Sequence, residues 1–136
     1  MSRQSDLDRI LEGLRAAAEA VQPFTSGEVE FRTKEERDDP VTAADEAADA
    51  VLKEILPRSG EGWLSEESVD DPVRLSCDRV WVVDPIDGTR EFIQGIPEWC
   101  ISIGLLEGGT PVAGGIFNPA TDQLILGSLE QGDAQR

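Results

Sequence analysis

The apolar residues of this chain change their period once, and that change limits the folds open to it. Before Pro57 they recur at helical spacing: Leu7, Ile10, Leu11, Leu14, Ala17, Ala18 and Val21 form one stripe, and Val41, Ala44, Ala48, Val51, Leu52 and Ile55 a second. Pro23 and Pro57 stop the two stripes, and Ser5 or Asp6 is placed to cap the first. The second helix is expected to open at Val41-Thr42, just after Pro40, while residues 25–39 between the stripes are charged and read as loop or irregular strand around Phe31. From Gly62 onward the pattern is that of strands, at 62–65, 79–83, 99–106, 111–117 and 123–127. Turn formers at 107–110 and 118–122 join the last three into an antiparallel meander. The fold class is therefore α+β, with two N-terminal helices packed on a largely antiparallel sheet. Ile101, Ile103 and Leu105 alternate with Ser102, Gly104 and Leu106, so the second sheet face is only partly polar. No later helix follows to cover that face, so a partner or further chain is expected there.

Composition removes several chemistries. The 136 residues suffice for one domain, and they contain no histidine and only two cysteines. Ser-His-Asp catalysis, Cys-His catalysis, His-ligated zinc, zinc ribbons and disulfide frameworks are all out of reach. A formal net charge of −16 opposes a nucleic-acid polymer as partner and is compatible with cation binding. The N-terminus has no apolar signal region, and no stretch approaches the ~18–20 apolar residues of a membrane span. A soluble, cytoplasmic chain with reduced thiols and no membrane partner is expected.

The chemistry concentrates in Trp81-Val82-Val83-Asp84-Pro85-Ile86-Asp87-Gly88-Thr89. Pro85 cannot donate to a ladder, so a turn is expected after Asp84, with Thr89 capping a short helix towards Ile93. Such a turn would gather Asp84, the Ile86 carbonyl and Asp87 as oxygen ligands of the kind magnesium takes. The Gly88 and Thr89 amides could receive a phosphate oxygen. An Asx-type turn with no metal accounts for the same residues equally well. Ser65-Glu66-Glu67-Ser68 follows another short strand, which could bring Glu66 beside Asp84, and Asp45 lies in the first turn of the second helix. Taken singly, these two segments read as an exposed acidic loop and as a residue facing the helix dipole.

In order, Lys34, Pro40-Val41-Thr42-Ala43-Ala44-Asp45, Ser65-Glu66-Glu67 and Asp84-Pro85-Ile86-Asp87-Gly88-Thr89 resemble the inositol monophosphatase superfamily of magnesium-dependent, lithium-sensitive phosphatases. Leu64-Ser65-Glu66-Glu67 and Thr89-Arg90-Glu91-Phe92-Ile93 are most similar to its 3'(2'),5'-bisphosphate nucleotidase branch. The resemblance implies a phosphomonoesterase with two or more Mg2+ ions, held by Glu66, Asp84, the Ile86 carbonyl and Asp87. It implies that Thr89 and Asp45 orient and deprotonate the attacking water, with Glu66 also catalytic, and that Gly88, Thr89 and Lys34 bind substrate. Glu67 would support this shell. The implied substrate is a small phosphorylated metabolite, either 3'-phosphoadenosine 5'-phosphate or an inositol phosphate, and a homodimer is compatible with it.

One departure from the family pattern qualifies this picture. The family's later Trp-Asp motif is missing, since Trp63, Trp81 and Trp99 precede Leu64, Val82 and Cys100. Residues 1–136 are therefore expected to be one domain, the N-terminal metal-binding half of the layered α/β sugar-phosphatase fold, weakly active or inactive alone. An aspartyl-phosphate mechanism with Asp84 as nucleophile is disfavoured because the second carboxylate comes three residues on, at Asp87, and not two. A P-loop at 109–115 lacks the Lys-Ser/Thr pair, and no acidic alternation suits an EF-hand. The remaining rival is a non-catalytic acidic interaction domain.

Overall fold

The two helical stripes form α1 (Arg3–Val21) and α2 (Ala43–Ile55), which pack on each other and on one face of a sheet. The computed structural model describes residues 3–24, 31–33, 40–68, 70–129 and 134–135. Strands β1 (Phe31–Thr33) and β2 (Pro40–Thr42) pair antiparallel as a small separate ribbon. The main sheet contains β3 (Gly62–Ser65), β4 (Arg79–Asp87), β5 (Cys100–Glu107), β6 (Thr110–Asn118), β7 (Gln123–Ser128) and β8 (Ala134–Gln135), in that spatial order. Only the β3–β4 pair is parallel; the rest are antiparallel neighbours. A short helix, α3 (Thr89–Gln94), follows β4, and a 3-10 turn at Pro72–Ser76 is started by Asp71, whose side chain accepts from the Val73 N–H. No helix among the described residues is long and apolar enough to cross a membrane.

The core lies between the helices and the inner sheet face. Leu7, Ile10, Leu14, Ala17 and Val21 of α1 meet Ala44, Ala48 and Leu52 of α2 over Trp81, Val83, Ile101, Ile103 and Leu105. Two glycines permit the close approach. A Cβ on Gly115 of β6 would stand 2.6 Å from both Ile10 and Leu126, and one on Gly13 of α1 would stand 3.2 Å from Ile103, Leu52 and Leu56. On the outer face Ile116 and Ile125 face each other in register and stay exposed, as the incomplete alternation along the strands suggests.

Three local expectations are corrected. α2 opens at Ala43, because Pro40–Thr42 is strand paired to β1. The ladder continues past Pro85, since β4 runs to Asp87 and the register to β5 shifts between Asp84 and Asp87. A bulge absorbs the missing proline N–H where a turn was expected. Ser5 and Asp6 lie inside α1 and do not cap it; Asp6 is fully buried in an ionic cluster.

That cluster fastens the end of β4 remote from Asp84. Arg79 donates to Asp6 at 2.6 Å, to Glu61 at 2.8 Å, and to Glu107. Arg9 donates to Glu61 at 2.8 Å and to the Leu56 carbonyl at 2.9 Å, with its guanidinium over the Trp81 ring. Burial raises the Glu61 carboxyl, but hydrogen bonds from Trp81, Arg79 and the Arg58 N–H outweigh it and hold the group at about 2. Because this folded value lies below the unfolded one, the stabilisation is present above about pH 4.3 and is lost as pH falls towards 2. Glu61→Ala takes one carboxylate partner from the buried Arg9 and the half-buried Arg79 and should cost about 3 kcal/mol at neutral pH. Chemical denaturation should show that difference shrinking between about pH 4 and pH 2.5; a pH-independent difference would refute the ionic origin.

Candidate functional site

Parallel register forces an acidic neighbourhood at the carboxyl ends of β3 and β4. Ser65 pairs with Val83, so the residues that follow, Glu66 and Asp84, come side by side. Glu66 is exposed in the turn after β3, Glu67 is half-buried beside it, Asp84 is half-buried, and Asp87 at the end of β4 is exposed. Burial first, then the charges of Glu66, Asp87, Glu67 and Asp45, push the Asp84 carboxyl up to about 7. Carboxylates from 45 to 87 in sequence therefore act on one group.

The next residues bring in α2. Ile86 is buried, and its carbonyl lies 3.1 Å from the Thr89 hydroxyl. The same hydroxyl lies 3.1 Å from Oδ1 of Asp45, which is 1% exposed in the first turn of α2. Thr89 has one hydroxyl proton, so these two acceptors compete for it, and donation to Asp45 leaves the oxygen lone pairs free to accept. Thr89 is not the helix cap expected from sequence. That position belongs to Gly88, at φ 96°, where a Cβ would stand 2.8 Å from the Glu98 carbonyl. A left-handed residue this crowded favours glycine on both counts. Phe92 anchors α3 edge-on to Trp99 at 4.9 Å.

Beyond Asp87, an open cleft of ≈ 440 Å³ is lined by Gly88, Glu91, Cys100 and Ile116 among others. Burial, then Asp87 and Asp84, raises the Cys100 thiol, which keeps it protonated. The donors available for a cation are thus oxygens alone, a hard set suited to magnesium rather than zinc. Among the described residues, no three His, Cys, Asp or Glu side chains are arranged to hold a metal ion between them. Lys34 lies outside the described residues.

Asp49 has no part in the sequence reading, and Ser68 enters it only as the end of the acidic segment 65–68. Both carboxylate oxygens of Asp49 accept hydroxyls, from Ser65 and from Ser68, across from α2 to the Glu66–Glu67 turn. The spacing of Asp45 and Asp49, one helical turn apart, is the signal that could have revealed it.

The sequence model of the inositol monophosphatase family matches residues 5–135. The 3'(2'),5'-bisphosphate nucleotidase CysQ of Salmonella typhimurium is 38% identical over 119 residues, 83% of this chain and 48% of that protein. An inositol-1-monophosphatase of Mycobacterium bovis is 37% identical over 115 residues, 81% of this chain and 40% of its own length. Among solved structures, the extragenic suppressor protein suhB from Bartonella henselae superposes with a TM-score of 0.81 at 29% identity, covering 92% of this chain and 49% of that one. The chain spans about half the length of the relatives it matches.

Because Asp84 holds a proton that the unfolded chain has lost, stability without divalent cations should fall as pH rises from about 4 to about 7. Asp84→Asn should therefore raise the thermal midpoint by a few degrees at about pH 8 in chelator, with about a third of that gain at about pH 5. Equal shifts at both pH values, measured by circular dichroism, would count against a raised Asp84 carboxyl as the cause.

Proposed function

Since the chain belongs to the inositol monophosphatase family, we propose that it carries the cation-binding and water-activating groups of a magnesium-dependent phosphomonoesterase. One observation carries this proposal: burial together with the charges of Glu66 and Asp87 pushes the Asp84 carboxyl up to about 7, next to a hydroxyl already bonded to a buried carboxylate. Such a concentration of negative charge is costly unless a cation offsets it. Glu66, Asp84, Asp87 and the Ile86 carbonyl would hold two or more Mg2+ ions. When bound, these ions supply the positive charge that screens a phosphate and favours ionisation of water and departure of the leaving oxygen.

The chain's own groups do the rest. Donating its hydroxyl proton in a hydrogen bond to Asp45, the Thr89 oxygen accepts from a water and aims it at phosphorus; as the water gives its proton to Thr89, Thr89 passes its own to the Asp45 carboxylate. Glu66 borders the same water. The Gly88 and Thr89 amides, at the start of α3, receive a phosphate oxygen, and Lys34 is a further substrate contact. A small phosphorylated metabolite is the substrate class. 3'-Phosphoadenosine 5'-phosphate is favoured by the likeness to CysQ, and an inositol phosphate by the likeness to inositol-1-monophosphatase. The setting is cytoplasmic, a homodimer is compatible with it, and neither nucleic-acid polymer nor membrane is a partner. We further propose that the 136 residues form the metal-binding half of a longer enzyme and turn over slowly alone, because they match 48% of the length of CysQ and 40% of that of the inositol-1-monophosphatase.

Calorimetric titration with Mg2+ tests the site directly. The wild-type chain should bind the ion, and Asp84→Asn and Asp87→Asn should each weaken binding about tenfold or more. Phosphate release from either substrate should be far below that of a full-length relative and inhibited by lithium. Failure of the wild-type chain to bind Mg2+ would favour a non-catalytic acidic domain.

A further inference from the structure

α2 presents two buried carboxylates on one face, and only Asp45 has a place in the proposed chemistry. We propose that Asp49 is a positioning residue that holds the Glu66–Glu67 turn against Asp84 and so sets the site's affinity for divalent cations. The inference rests on the proposal that Glu66 is a cation ligand.

Asp49 is 8% exposed and accepts the Ser65 hydroxyl on Oδ1 and the Ser68 hydroxyl on Oδ2. Each serine also accepts a second bond: Ser65 Oγ takes the Glu67 N–H of the turn at 3.2 Å, and Ser68 Oγ takes the indole N–H of Trp63 in β3 at 3.2 Å. The first and last residues of Ser65-Glu66-Glu67-Ser68 are thereby tied to a single side chain on a rigid helix. Between them lie two glutamates facing a third carboxylate, and mutual repulsion would swing an untethered turn away. One turn earlier on the helix, Asp45 holds the Thr89 hydroxyl. The two acids thus tie both ligand-bearing segments, the turn after β3 and the residues after β4, to one helical face. A carboxylate placed only to satisfy two buried hydroxyls would have no bearing on cation affinity, whereas an outer-shell tether would.

Mn2+ binding by the intact chain, measured by calorimetry well below each variant's thermal midpoint, separates these roles. Asp49→Ala should raise the Kd about 10–100-fold, and Asp49→Asn, which keeps an acceptor oxygen without charge, should restore most of that loss. Unchanged affinity in folded Asp49→Ala overturns the inference, whatever its melting temperature. Equal weakening by Asn and Ala also overturns it, because Asp49 would then act by charge and not by holding the turn. If Asp49→Ala does not fold, Ser68→Ala decides: about threefold weaker binding or more supports the tether, and unchanged binding overturns it. Absence of Mn2+ binding in the wild-type chain overturns the cation site itself, a result distinct from loss of the tether alone.

Discussion

The parallel pairing of β3 with β4 is the constraint from which the site follows. Every other neighbouring pair in the main sheet is antiparallel, and an antiparallel partner would send the chain away from Asp84 at that edge. With Ser65 opposite Val83, both strands end in the same direction and both continue into acidic residues. Hydrogen bonds of the ladder fix this placement against the repulsion it creates. The bulge at Pro85 then lets the chain turn Asp87 and Gly88 towards the same region without losing the pairing to β5.

The two ends of β4 illustrate opposite fates for one functional group. At its start, Glu61 meets Arg9, Arg79 and the Trp81 indole, and its carboxyl is held at about 2. At its far end, burial and the charges of Glu66, Asp87, Glu67 and Asp45 raise the Asp84 carboxyl to about 7. Partial burial acts in the same direction on both, so hydrogen-bond donors at one end and like charges at the other decide the outcome. The paired end fastens α1 to the start of the sheet. The unpaired end is left in a state that a cation would relieve, as expected where local stability is given up for chemistry.

α2 links these halves of the structure. Its apolar side buries Ala44, Ala48 and Leu52 against α1 and the sheet, and its acidic side reaches the two ligand-bearing segments through Thr89, Ser65 and Ser68. A helix is suited to this because residues four apart stand one above the other at fixed separation. The same packing that excludes water from the core therefore sets the position of polar groups at its margin.

Much of the architecture was legible from period and punctuation. The stripes of α1 and α2, the strands from Gly62 onward and the meander of β5 to β7 all follow from local alternation and turn residues, because burying one face imposes that pattern on the sequence. Glu66 and Asp84 could be nominated as neighbours from the strands that precede them. The ionic cluster of Asp6, Glu61, Arg79 and Glu107 left no such trace, since ion pairs such as Asp6–Arg79, 73 positions apart, have no local signature. The start of α2 and the passage of β4 through Pro85 also escaped, because pairing to another strand overrode what proline and the apolar stripe favoured locally. Sequence alone determined which segments were helix or strand and which acids could serve, since those depend on near neighbours. Only the tertiary structure decided that Asp49 grips the Glu66 turn and how strongly Asp84 is perturbed. Those outcomes depend on distances and burial that exist only once the helices have settled on the sheet.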